Sequence, residues 1–127
     1  MATDWTMEPI ATALKRLRDS RGMTDTDVWA AAGISSGALS RYMNGSRGIA
    51  IDWRGARTVR KLARVFDVDP EYFLEYRVWR LTQLARLDAD AATAAYRAAM
   101  ELSRLGGALV ALEALERELD DEEQTST

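Results

Sequence analysis

The sequence predicts an all-α protein, and three observations lead there. Apolar residues recur at helical spacing along most of the 127 residues. The stretch Thr24 to Gly45, TDTDVWAAAGISSGALSRYMNG, has the capping, small and apolar residues of two short helices joined by a tight turn. GIAIDW, the one alternating segment, lies among glycines with no evident pairing partner, so no strand is expected beyond a possible short wing at IAI. A chain of this length holds one modest core plus a helical appendage.

The helices are expected at 8–21, 25–32, 36–43, 58–66, 70–87, 90–104 and 107–120. Gly22 ends the first. Thr24 caps the second, with Asp27 three residues on completing a capping-box pair, and Gly33 supplies the left-handed position that stops it. Ser35 caps the third. On this pair Val28, Ala32, Ile34, Leu39 and Tyr42 fall inward, whereas Ser36, Gly37, Ser40, Arg41 and Asn44 face out, a small polar surface that suits a groove. Tyr42 and Met43 read as core or interface rather than as base readers. A long loop follows, SRGIAIDWRGAR at 46 to 57, rich in Arg and Gly. Asp69 as cap and Pro70 as first helical residue start the fifth helix.

The C-terminal third has apolar surface to spare. In 70–87, Phe73, Tyr76, Val78, Trp79, Leu81, Leu84 and Leu87 exceed one helix stripe. The next segment offers a small-residue face of Ala91, Ala92, Ala95, Ala98 and Ala99 with Leu102. Gly106 and Gly107 break the chain, and Leu109, Leu112, Leu115 and Leu119 then recur among acids. The surplus points to a dimer, with Trp79, Leu102, Leu109, Leu112, Leu115 and Leu119 as its contacts; an intrachain helical cap is the other reading. The end, DDEEQTST, reads as disordered.

Charge separates the halves. The net charge is −3, yet residues 1–80 carry thirteen basic and ten acidic side chains, against four and ten in 81–127. Between Arg41 and Arg64, seven cations (Arg41, Arg47, Arg54, Arg57, Arg60, Lys61 and Arg64) face a single acid, Asp52. That is the electrostatic footprint of phosphate binding, or else a solvated basic face. With no Cys and no His, disulfides, thiolate chemistry, imidazole bases and the usual zinc sites are excluded. No catalytic residue, metal site or cofactor is expected. Neither a membrane span nor a signal peptide is visible, so a cytoplasmic, nucleoid-associated protein is expected. Fifteen Arg against two Lys, with abundant Ala, fits a GC-rich bacterial coding sequence.

From about Ile10 to Leu74 the chain resembles the Cro/CI-type (XRE) helix-turn-helix family. LKRLRDSRGMT at 14–24, AGIS at 32–35, LSRYMNG at 39–45 and VRKLARVFDVDPEYFL at 59–74 carry the likeness. The resemblance implies a five-helix DNA-binding domain, taken as 1–75, followed at 76–127 by a helical dimerisation region with an acidic tail. It implies that Ser36, Gly37, Ser40 and Arg41 face base edges and that Asn44 binds phosphate. Only Arg41 has the fork for guanine, with a phosphate or ion-pair role as its alternative. Arg47, Arg54 and Arg57 join them as phosphate contacts. Two positions depart from the family pattern: Trp29 stands where a small residue is usual, and Asp25 where many members carry a phosphate-gripping Gln. The overall layout is also similar to EspR-type regulators.

The expected function is therefore sequence-selective binding of double-stranded DNA by a homodimeric transcriptional regulator, a repressor, with helix 36–43 in the major groove. The alternative is a protein-interaction module, such as an antitoxin or anti-regulator, whose C-terminal helices hold a protein partner. An enzyme finds no support in any nucleophile–base pair or metal-spaced set.

Overall fold

Seven α-helices and one 3-10 turn account for the regular structure in a computed structural model that describes residues 4–44 and 51–125. The helices are α1 (Ile10–Ser20), α2 (Asp25–Ala32), α3 (Ser36–Met43), α4 (Trp53–Val65), α5 (Leu74–Leu87), α6 (Ala89–Gly106) and α7 (Ala108–Thr125); the 3-10 turn is Pro70–Tyr72. No strand occurs among the described residues. The chain divides into two compact units, Met1–Gln83 and Leu84–Thr127.

In the first unit α3 packs on α1 and α2, and α2 packs on α4. Their shared core is built on Ile10, Leu14, Val28, Leu39, Val59, Leu62, Phe66, Phe73 and Tyr76, all essentially inaccessible to solvent. Pro9 precedes α1 and gives no side-chain cap. Glu75 of α5 does this work instead, its buried carboxylate accepting the Ile10 N–H at 3.1 Å and 2.9 Å from its two oxygens. A carboxylate at a helix N-terminus satisfies a free donor and complements the helix dipole. Arg77 ties the N-terminal segment down, donating to the carbonyls of Thr6, Glu71 and Tyr72 while its guanidinium sits 5.3 Å from the Trp5 ring centroid. Arg21 donates to the Phe66 carbonyl at 2.8 Å, closing the C-terminal end of α4.

Several helix limits differ from the sequence expectation. α4 starts at Trp53 rather than 58, because Asp52 caps it by accepting the Gly55 N–H at 2.7 Å. The expected helix 70–87 is a 3-10 turn followed by α5, separated by Phe73 in an extended conformation. Asp69 makes no side-chain cap bond; its carbonyl accepts the Tyr72 N–H at 2.9 Å. The acidic end is helical through Thr125 rather than disordered.

In the second unit α6 and α7 pack as a hairpin joined through Gly107, whose left-handed φ of +79° a side-chain-bearing residue would strain to adopt. Ala91, Ala92, Ala95 and Met100 of α6 and Leu109 and Ala114 of α7 are half-buried. No described side chain of either helix is buried.

Candidate nucleic-acid interface

The exposed face of α3 follows from how its buried face is held. Thr24 Oγ1 accepts the Asp27 N–H at 3.1 Å and the Asp27 carboxylate accepts the Thr24 N–H at 2.9 Å, the full capping box. The Thr24 N–H, and after it the Thr24 side chain, hold the Asp27 carboxyl below its ordinary pKa. Gly33, at φ +70°, ends α2, and Ser35 starts α3 by accepting the Ala38 N–H at 3.0 Å. Leu39, Tyr42 and Met43 are buried. Helical periodicity then leaves Ser36, Gly37, Ser40 and Arg41 exposed, with Asn44 exposed just beyond the helix.

These residues are available for contact. Arg41 makes no ion pair among the described residues. Asn44 Nδ2 donates to Ser40 Oγ at 2.9 Å, so the two polar groups at the end of α3 are bonded to one another, and the Ser40 hydroxyl keeps its own proton to donate. Gly37 leaves the α3 surface open; a Cβ there would meet nothing nearer than 4.0 Å.

The C-terminal end of α3 is fixed by a contact that sequence reasoning missed. A Cβ on Gly55 would lie 2.6 Å from Tyr42 Oη, so the start of α4 lies close against the Tyr42 ring and a larger residue there would have to displace its hydroxyl. Burial pushes the Tyr42 phenol above its ordinary pKa. Asp52 followed three residues later by Gly55 is a readable cap signal that places this contact at the start of a helix. Beside it, exposed Trp53 meets the edge of Trp79 with ring centroids 5.0 Å apart.

The cations divide by role. Arg54 and Arg57 are exposed on the first turns of α4, not in a loop, and form no ion pair among the described residues. Arg60 is structural, donating from Nε to Tyr76 Oη at 2.9 Å. Arg47 lies outside the described residues, as do the other positions of the 46–57 segment up to Ala50, including Ile49 and Ala50 of the wing expected at IAI. Asp25 pairs with Arg18 at 2.6 Å, which offsets its charge near the start of α2. Trp29 is half-buried and packs against the core. Of the expected dimer contacts, Leu102, Leu112, Leu115 and Leu119 are exposed and Leu109 is half-buried, while Trp79 lies in the first unit's core. Among the described residues no group of acidic side chains could hold a metal ion, and no helix is long and apolar enough to cross a membrane.

A capped helix pair turning through a left-handed glycine, with a polar second helix backed by a continuous core, defines the DNA-binding helix-turn-helix class. A family model described as a helix-turn-helix domain matches residues 9–73, about half the chain, and the protein belongs to that family, which is related to the XRE and Cro-type regulators. No curated protein and no solved structure matches the chain.

Proposed function

We propose that the protein is a sequence-selective, double-stranded-DNA-binding transcriptional repressor that acts as a homodimer, with α3 in the major groove. The observation that carries this reading is the outer face of α3, where an Arg41 fork with no ion pair among the described residues stands among small polar residues on a helix held to the core by Leu39, Tyr42 and Met43. Arg41 reads a guanine edge, Ser36 and Ser40 contact bases or backbone, and Asn44, Arg47, Arg54 and Arg57 hold phosphates. With so few long side chains on that face, DNA shape supplies part of the selectivity.

Dimerisation is supported by the second unit. Leu102, Leu112, Leu115 and Leu119 are each about half exposed or more, and a short helical hairpin without a buried residue lacks a core of its own. The contact surface therefore runs over these leucines and Leu109, while Trp79, 8% exposed, belongs to the first unit's core and is no part of it. Charge favours the same division of labour, with the DNA-facing half basic and the hairpin half acidic.

A gel shift against genomic fragments, with light scattering on the same sample, tests the proposal. A dimer that retards a subset of fragments at near-physiological salt supports it. A folded protein that retards none would favour the protein-interaction alternative, and genome-wide mapping of bound sites would then decide whether any operator exists.

A further inference from the structure

Trp53, the first residue of α4, keeps its indole 65% exposed although it touches the core. Its orientation is set by a run of aromatic contacts. The ring meets that of Trp79 edge-on at 5.0 Å between centroids, Trp79 lies 5.5 Å from Tyr76, and the Tyr76 hydroxyl accepts the Arg60 Nε–H at 2.9 Å. Trp79 and Tyr76 are buried, so the exposed indole stands on a rigid support. Its helix neighbours are cationic. Arg54 follows it directly and Arg57 lies one turn on along the same face; both are exposed and without an ion pair among the described residues. The adjacent acid, Asp52, has a carboxylate oxygen engaged by the Gly55 N–H. Gly55 in turn is where α4 lies close to Tyr42 at the end of α3.

We infer that Trp53 contacts DNA, its indole packing on the deoxyribose edge of the strand whose phosphates Arg54 and Arg57 hold. The inference rests on the proposed DNA reading and adds to it a contact that is apolar rather than ionic. An aromatic ring flanked by cations without ion pairs suits a polyanion whose sugars offer C–H surface between charged phosphates. The core of a protein interface, by contrast, is depleted of charge. Because Trp79 already holds the ring in the free protein, little side-chain freedom is lost on binding. Burying the indole releases no condensed counterions, so it strengthens binding without steepening the salt dependence, as a phosphate contact would. A sugar edge has the same chemistry at every base pair. The contact therefore adds affinity on any duplex and carries no sequence information of its own.

The test uses the full-length protein with a mapped site and an unrelated duplex, in anisotropy titrations at several salt concentrations. Trp53→Ala should weaken binding about tenfold on both duplexes, the effect of leaving about 50–60 Å² of apolar surface uncovered, with the slope of log affinity against log salt unchanged. Trp53→Phe keeps a ring and should recover most of that loss. In this second variant DNA should also quench tryptophan emission less than in the wild type, a readout of contact that holds even if Trp53→Ala fails to fold in circular dichroism. A wild type that binds neither duplex removes the DNA reading and this inference with it. Wild-type binding that Trp53→Ala leaves unaltered in a folded protein, or quenching that Trp53→Phe leaves unaltered, overturns the inference alone. A loss confined to the mapped site would make Trp53 a base reader, and a flattened salt slope would mean that it positions the arginines. Loss of self-association on sedimentation would assign the ring to a contact between copies of the chain, and each of these three results rejects the sugar contact.

Discussion

Arg41 and Gly55 both bear on α3, one by its exposed charge and the other by its close approach to Tyr42. Arg41 is exposed and is not one of the buried core residues, so Arg41→Ala should leave folding intact and weaken specific binding by about 1–3 kcal/mol, as measured by fluorescence anisotropy on a mapped site. Gly55→Ala places a methyl group 2.6 Å from Tyr42 Oη and 3.0 Å from Ile51 Cγ2. The overlap should cost about 1–3 kcal/mol of stability in urea titrations, and adding Tyr42→Phe, which removes the crowded oxygen, should recover part of it. Glu75 is a third point of leverage, 65 residues distant in sequence from the Ile10 N–H it accepts. Glu75→Ala leaves that buried donor unsatisfied, and a loss of about 1–3 kcal/mol is expected in the same assay.

Among the elements, α4 shows most plainly where local sequence is sufficient and where it is not. Its interior, from Val59 to Val65, is legible from apolar spacing, but its start was expected at 58 because Gly55 and Arg-rich flanks resemble a loop. Asp52 overrides this by capping, and the small Gly55 is retained because Tyr42 occupies the space a side chain would need. This bears on the proposed function: Arg54 and Arg57 are exposed on a helix rather than a loop, and a fixed backbone would reduce the ordering cost of the phosphate contacts proposed for them. Replacing both with Ala should lower affinity on every sequence and reduce the magnitude of the salt slope by about two, read from anisotropy titrations at several salt concentrations. An unchanged slope would remove them from the interface. The α2–α3 pair was legible almost residue by residue, because Thr24, Asp27, Gly33 and Ser35 act through hydrogen bonds to neighbours within three positions.

For the whole molecule, affinity in the proposed dimer depends on holding two copies of α3 at a fixed spacing, which for a helix-turn-helix dimer is about one turn of DNA. The first unit has its own core, so a protein ending at Gln83 should fold as a monomer and bind DNA much more weakly than the full chain. Leu112→Asp with Leu115→Asp, two exposed positions on α7, should dissociate the full-length dimer while leaving the first unit folded. Sedimentation velocity decides both. A full-length protein that is monomeric at micromolar concentration, or a truncated one that still dimerises, would reject α6 and α7 as the dimer contact.

By itself the sequence determined the all-helical class, the helix-turn-helix register, the exposed polar face of α3 and the charge contrast between the two halves. All of these rest on periodicity and on caps that act within a few residues. Tertiary structure alone decided that Glu75 caps α1, that Gly55 of α4 comes close to Tyr42 at the end of α3, that Trp79 belongs to the core, and that Arg60 is held by Tyr76 while Lys61 and Arg64 have no ion pair among the described residues. Each is a contact between residues far apart in the chain or on different helices. Which of several similar side chains is buried, bonded or free depends on how the helices cross, and local spacing does not encode the crossing.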